Sequence, residues 1–419
     1  MPPPTTTTRF ILPLQRCTVP DRPDSGLGSK PTSTNMTRII ASASPAKDNS
    51  SRGPNMNPNP TIDGFSRNPL LVYWETTRAC ALSCRHCRAS AMPTAHPLEL
   101  SHEEGFGLLE QIASFGDPMP HLVLTGGDPL RRKDIFDLIA KARELGIDVS
   151  ITPAAGPDLT REMIFKLKEA GIDSIALSLD ASTSGAHDAI RQVEGCFAKT
   201  MEAAKWCGEA GVPLQVNTLL SSETADDLPA VYDLLHTFPV MRWALFFLIS
   251  VGRGKQLQEV SPEQAEEIMN WTFDLARKAP FQIKTTEAPS YRRVARERMT
   301  AAGMTIEQLR RTNIHKGYGI RDGNGITFVS HMGDVYPSGF LPLKAGNIRL
   351  QSLVDIYRSS EVFLKVRDVN HFEGKCGLCE YRKICGGSRA RAFAHTGNPA
   401  GSDPVCVYQP KQREVALAG

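Results

Sequence analysis

The sequence predicts an α/β fold: a partial (β/α)6 TIM-like barrel, left open, followed by a small cysteine-rich C-terminal domain. Three observations carry this. From Leu70 to about Lys278, short apolar β-rich runs alternate with longer amphipathic segments, roughly every 30 to 40 residues, a pattern that means parallel strands joined by right-handed crossovers. Six such units are too few for the eight-unit closed barrel. After residue 280 the alternation stops, and four of the ten cysteines lie in the closing stretch.

Taken in order, residues 1 to 66 hold 11 of the 30 prolines with no sustained apolar period. Such a segment cannot pack and reads as a disordered leader. Its arginine and hydroxyl content also fits an organelle transit peptide, against which stand Asp21, Asp24 and the prolines; Met36 and Met56 are alternative starts. Six runs then read as strands: LLVYWETT from Leu70, HLVLTGG from His121, DVSITP from Asp148, SIALSLD from Ser174, PLQVNTLL from Pro213 and RWALFFLIS from Arg242. Helices fall between them from Ser101, Asp134 and Arg161. The first opens with a capping box of Ser101 and Glu104, and the other two stop at Gly146 and Gly171. Beyond residue 280 come an Arg-rich helical stretch from Tyr291 to Arg311, two short strands about Gly333-Asp334 and a helix from Ser352 to about Arg367. The expected division is 1–66 leader, 67–280 barrel, 281–350 connecting helix and hairpin, and 351–419 C-terminal domain.

Charge narrows the function classes. The first 60 residues carry seven Lys/Arg against three Asp/Glu, leaving 41 against 42 in the other 359. The body of the chain is close to neutral, which argues against sequence-independent nucleic-acid binding. No run approaches the roughly 18 apolar residues of a spanning helix. No secretory signal pattern is present, and the cysteine spacing is that of metal ligands, so a reducing, cytoplasmic setting is expected.

Seven cysteines form two groups. Cys80, Cys84 and Cys87 follow the first strand, and three thiolates in eight residues select a soft metal, zinc or an iron–sulfur cluster. Structural zinc wants four ligands, which His86 or His96 could complete; a four-iron cluster held by three thiolates keeps one iron open. Cys376, Cys379, Cys385 and Cys406 form a complete set of four, as an auxiliary iron–sulfur cluster or a zinc site would need. Cys196 and Cys207 read as small apolar residues in the fourth crossover.

This Cx3CxxC after the first barrel strand, with a glycine pair ending the second, resembles the radical S-adenosylmethionine superfamily from Leu70 to about Gly254. The resemblance implies that Cys80, Cys84 and Cys87 hold a catalytic 4Fe-4S cluster. Its open iron chelates S-adenosylmethionine, whose cleavage gives a 5′-deoxyadenosyl radical. It also implies that His86 lies near the adenine, and that Gly126, Gly127 and Asp128 of TGGDPL meet the amino group, with Asp128 where glutamate is commoner. Ser178, Asp180, Asn217, Gly252 and Gly254 match positions lining the cofactor. Each of these residues has a plainer reading as a turn former or a strand-end hydrogen-bonding group.

The stretch from Lys375 to Cys406 resembles the SPASM or Twitch extension of such enzymes. Full SPASM domains bind two auxiliary clusters through seven cysteines. Here Ser338 stands where an upstream cysteine would follow GDVYP, so the reduced, single-cluster form is expected. GDVYPSGFLPL, CEYRKICGGSRARA and CVYQP are most similar to the tetrapyrrole branch, the heme and heme d1 biosynthesis enzymes. That implies a tetrapyrrole carboxylate as substrate, with oxidative decarboxylation or loss of a propionate, and a low-potential electron donor as partner. Arg389 and Arg391 could clamp a substrate carboxylate or cover the cluster helix. A peptide-modifying maturase and a zinc-stabilised, non-catalytic scaffold are the alternatives.

Overall fold

The computed structural model describes residues 64–411. The expected leader, apart from its last three residues, and Cys17 lie outside them. Gly64–Ser66 form one turn of 3-10 helix and belong to the fold, because Phe65 is buried and its carbonyl accepts from Tyr357 Oη at 2.5 Å.

The six expected strands are present and parallel: β1 (Leu71–Glu75), β2 (His121–Thr125), β3 (Val149–Ile151), β4 (Ser174–Ser178), β5 (Leu214–Leu220) and β6 (Val240–Phe247). The sheet continues past them. β7 (Gln282–Thr286) adds in parallel to β6, and β8 (Ile326–Val329) adds in parallel to β1 on the opposite side. β9 (Asp334–Tyr336) and β10 (Gly346–Asn347) extend that side antiparallel, giving the order β10-β9-β8-β1-β2-β3-β4-β5-β6-β7. Residues 281–350 thus contribute four strands to the one sheet.

Alternation decides the faces. Val72, Trp74, Leu122, Leu124, Ile175, Leu177, Trp243 and Leu245 join one apolar core with the helices that cover the sheet. Tyr73, Thr125, Asn217, Arg242 and their neighbours point the other way, onto the concave face. The helix of residues 102–113 carries the capping box of Ser101 and Glu104. Gly146 and Gly171 follow their helices at φ +77° and +87°, the left-handed stop that glycine permits.

The single helix expected from Ser352 is two, Leu353–Ser359 and Glu361–Arg367. Ser360 turns extended between them, and its hydroxyl caps the second. Among the described residues no helix is long and apolar enough to cross a membrane.

Candidate active site and its cysteine loops

The strands deliver their following loops to one rim. Past β1 the chain leaves as a loop closed at its neck, with Cys80 N donating to Met92 O at 2.8 Å and Met92 N to Arg78 O at 2.9 Å. Glu99 braces the loop by accepting from Thr77 Oγ1 (2.8 Å) and from the backbone of Arg78 and His96 (3.0 Å each). The loop brings Cys80 and Cys84 together with Leu82 and Cys196 in one buried cluster, with Cys87 against it. Cys196 and Cys207 both pack as small apolar residues of the crossover between β4 and β5, as expected, Cys207 in the main core and Cys196 beside two candidate ligands.

The glycine pair after β2 supports this loop directly. Gly127 N donates to Thr77 O (2.8 Å) and Asp128 N to Ala79 O (2.7 Å). A Cβ on Gly126 would meet Thr77 O at 2.7 Å, and one on Gly127 would meet Ala79 O at 2.5 Å. Only glycine allows so close an approach. Asp128 is buried; Oδ1 accepts from the backbone of Leu130 (3.1 Å) and Ala154 (3.3 Å), while Oδ2 has no partner. Burial pushes its carboxyl up to about 6.

Gly252 closes the loop from the far side at φ +53°, where a Cβ would meet Cys87 O at 2.6 Å, and Gly254 packs near Ile249 O. Arg253 between them donates through Nε to Cys84 O (2.9 Å).

His86 lies between the last two cysteines, with Nδ1 buried and unpartnered; burial pushes it down to about 4, a neutral imidazole. Asp180 after β4 is committed inside the protein, to Arg191 at 2.7 Å and to Leu219 N at 2.9 Å. Asn217 accepts from Gln215 Nε2 at 2.7 Å, and Ser178 ends β4 on the concave face. Sequence reasoning passed over Glu75, the last residue of β1. It is buried between His331 Nδ1 (2.7 Å) and Arg88 (3.1 Å), pairings that no local pattern announces.

At the C-terminal end Cys376, Cys379, Cys385 and Cys406 line one pocket open to solvent, together with Arg293, Lys375 and Tyr408. N–H groups point at the sulfurs: Arg389 Nη2 and Asp403 N at Cys376 (3.4 Å each), Tyr381 N at Cys379 (3.4 Å) and Gly387 N at Cys385 (3.3 Å). Burial pushes Cys80 and Cys406 up to about 11 and Cys385 to about 12, so proton loss accompanies any metal uptake.

Among the described residues no three His, Cys, Asp or Glu side chains are already set to hold a metal ion, and the described cysteines are free thiols. The fit to iron–sulfur rests on the donor set: three thiols on one short loop at one site, four thiols with N–H donors at the other.

Arg389 and Arg391 do not face a substrate. Both are fully buried. Arg389 donates to Pro399 O, Gly401 O and Cys376, and Arg391 to Glu259, Asp403, Glu287 O and Leu248 O. Their internal partners account for them.

Comparison with known proteins agrees with this picture. The Radical SAM superfamily model matches residues 74–235. The chain is similar to "AdoMet-dependent heme synthase" of Methanosarcina barkeri, 35% identical over 345 residues, covering 82% of this chain and 98% of that protein. "Fe-coproporphyrin III synthase" of the same organism is 30% identical, covering 80% and 87%. The fold matches Streptococcus suis SuiB bound to S-adenosylmethionine with a TM-score of 0.63 at 18% identity, over 82% of this chain and 78% of that one. A non-catalytic zinc scaffold is set aside. The chain is a member of the Radical SAM superfamily, an enzyme that uses S-adenosylmethionine and a 4Fe-4S cluster, in the family that includes the AdoMet-dependent heme synthases.

Proposed function

We propose that the chain oxidatively decarboxylates a propionate side chain of an iron tetrapyrrole. One observation carries the reading: the similarity to a heme synthase covers 82% of this chain and 98% of the relative's length. Cys80, Cys84 and Cys87 would hold the catalytic cluster, with His86, Gly126, Gly127, Asp128, Ser178, Asp180, Asn217 and Gly252 around S-adenosylmethionine. Of these, Asp180 would act through Arg191, not by touching the cofactor. Cys376, Cys379, Cys385 and Cys406 would hold one auxiliary 4Fe-4S cluster, in a C-terminal domain of residues 351–419.

When bound, the catalytic cluster and S-adenosylmethionine supply a radical that abstracts hydrogen. The chain's own residues do the rest. The glycine-braced loop fixes the thiols, and Arg191 and Arg253 hold positive charge beside Cys84. Loss of hydrogen, carbon dioxide and one electron from a propionate leaves a vinyl group, so the reaction needs an electron acceptor, and its start needs a low-potential donor.

The test is an anaerobic assay of the reconstituted enzyme with iron-coproporphyrin III, following 5′-deoxyadenosine and porphyrin mass. The expected product has lost the elements of formic acid once per propionate processed: one hydrogen atom, CO2, an electron and the carboxyl proton. Unchanged porphyrin beside a modified peptide in a parallel assay would favour the maturase reading.

A further inference from the structure

The arginines around the rim are already engaged. Arg88 meets Glu75, Arg78 donates to Ser90 O, Arg253 binds the cysteine loop, and Arg389 and Arg391 are buried in their own networks. A substrate with several carboxylates must find its cations elsewhere.

The concave face of the barrel offers two. Register places Arg242 beside Gln282 and Ala244 beside Lys284, so Arg242 and Lys284 sit one step apart on adjacent strands, on the same face. The charges of both reach His121 on β2, four strands from Arg242 and five from Lys284 in the sheet order, and that of Arg242 reaches Tyr73 on β1. Curvature therefore brings these positions around a common recess.

Neither cation has an anionic partner. Arg242 donates to the neutral amides of Gln215 (3.3 Å) and Gln282 (3.0 and 3.2 Å). Among the described residues the Lys284 side chain has no hydrogen bond and no ion pair, and the charge acting on it is that of Arg242. Burial, then that like charge, pushes the Lys284 amine down to about 7. Its side chain nevertheless keeps surface open to water. An unpaired lysine beside an unpaired arginine in a recess is costly to the free protein, and a carboxylate entering between them would relieve that cost.

We propose that Lys284 and Arg242 together bind a carboxylate of the substrate within the barrel, so that this recess selects a polycarboxylated ligand; the assignment rests on the tetrapyrrole reading above. Lys284 lies two residues before the end of β7, about 7 Å below the rim at roughly 3.3 Å per residue. The cysteine loops lie at the rim. The carboxylate at Lys284 is thus not the one that reacts, and a ligand with a single carboxylate cannot occupy both places.

The experiment measures anaerobic binding of iron-coproporphyrin III to the full reconstituted chain by the shift of its Soret band, for the parent, Lys284→Met and Lys284→Arg, with melting temperatures of the ligand-free proteins. Lys284→Met is expected to weaken binding at least about tenfold, the loss expected when a charged donor to a carboxylate is removed. Lys284→Arg should stay within about threefold, because it keeps charge and donor. Ligand-free Lys284→Met should melt at or above the parent temperature, since it removes an uncompensated cation. Lys284→Met binding as tightly as the parent would overturn the assignment and leave the tetrapyrrole reading intact. A lower melting temperature would also overturn it, by showing that Lys284 serves the fold. No binding by the parent would refute both.

Discussion

Arg191 reaches Cys84 from inside the protein: its Nη1 stands 3.7 Å from the cysteine Sγ while Nη2 is held 2.7 Å from the Asp180 carboxylate. The carboxylate fixes the guanidinium, and the guanidinium presents positive charge to a proposed cluster ligand. Charge and N–H donors at ligand sulfurs raise a cluster's reduction potential, because they favour its more negative form. Arg191→Lys keeps the cation for Asp180 and gives up the second arm. The midpoint potential of the catalytic cluster should fall by on the order of tens of millivolts, read by redox titration with EPR in a Cys379→Ala background. An unchanged potential would show that Arg191 serves Asp180 alone.

The glycine pair makes a sharper prediction. An alanine at Gly127 would put Cβ within 2.6 Å of both the Ala79 and Arg78 carbonyls, which are backbone and cannot swing away. The displaced segment is the start of the loop that carries Cys80. Gly127→Ala should therefore lower iron from about eight to about four per chain, sparing the C-terminal site, and iron and sulfide analysis after reconstitution checks it. Loading like the parent's would mean that the loop tolerates the shift.

The apolar runs of β1 to β6 were legible because each strand's outward face is packed under helices and must be hydrophobic at every second position. β7 was not. Its sequence QIKTT offers only Ile283 to the core, since Gln282 and Lys284 face the recess. The hairpin of β8 and β9 was legible from its turn, but the pairing of β8 with β1 was not, because Leu71 and Ile326 lie 255 residues apart and local pattern says nothing of such a contact. The thiol groups were legible from spacing. The place of Cys196 beside Cys80 was not, nor the burial of Arg389 and Arg391, for an arginine-rich helix reads as exposed unless its internal acceptors are known.

The two cysteine groups should separate in function. Replacing Cys80, Cys84 and Cys87 by alanine should abolish reductive cleavage of S-adenosylmethionine, since no other group holds the iron that chelates it. Cys379→Ala or Cys406→Ala should leave measurable cleavage and stop turnover of the porphyrin. 5′-Deoxyadenosine and product are followed by mass in the same reaction. Cleavage by the triple variant equal to the parent's would remove the assignment of the first group.

Arg389 bears on the second group. Its Nη2 lies 3.4 Å from Cys376 Sγ, and its remaining donors are taken by carbonyls. Arg389→Lys should lower the auxiliary cluster's potential while leaving the Soret-measured affinity for iron-coproporphyrin III within about twofold. A loss of affinity with the potential unmoved would restore the carboxylate-clamp role that its burial argues against.

Glu287 gives a pH signature. It follows β7 at φ +58°, accepts from Ser388 Oγ at 2.8 Å, and faces Asp322, Arg391 and Asp403. Burial first, then the charge of Asp322, pushes its carboxyl from 4.5 up to about 8. Below pH 4.5 the folded and unfolded chains both hold this proton. Between 4.5 and about 8 the unfolded chain releases it and the folded chain keeps it, so this group's contribution to stability is lost as pH rises through that window. Glu287→Gln mimics the protonated form at every pH. Its melting temperature should match the parent's near pH 5 and exceed it by a few degrees at pH 8, measured on the loaded protein at both values. Melting curves that stay parallel across the window would mean that Glu287 is ionised in the fold, with Arg391 as its counter-charge.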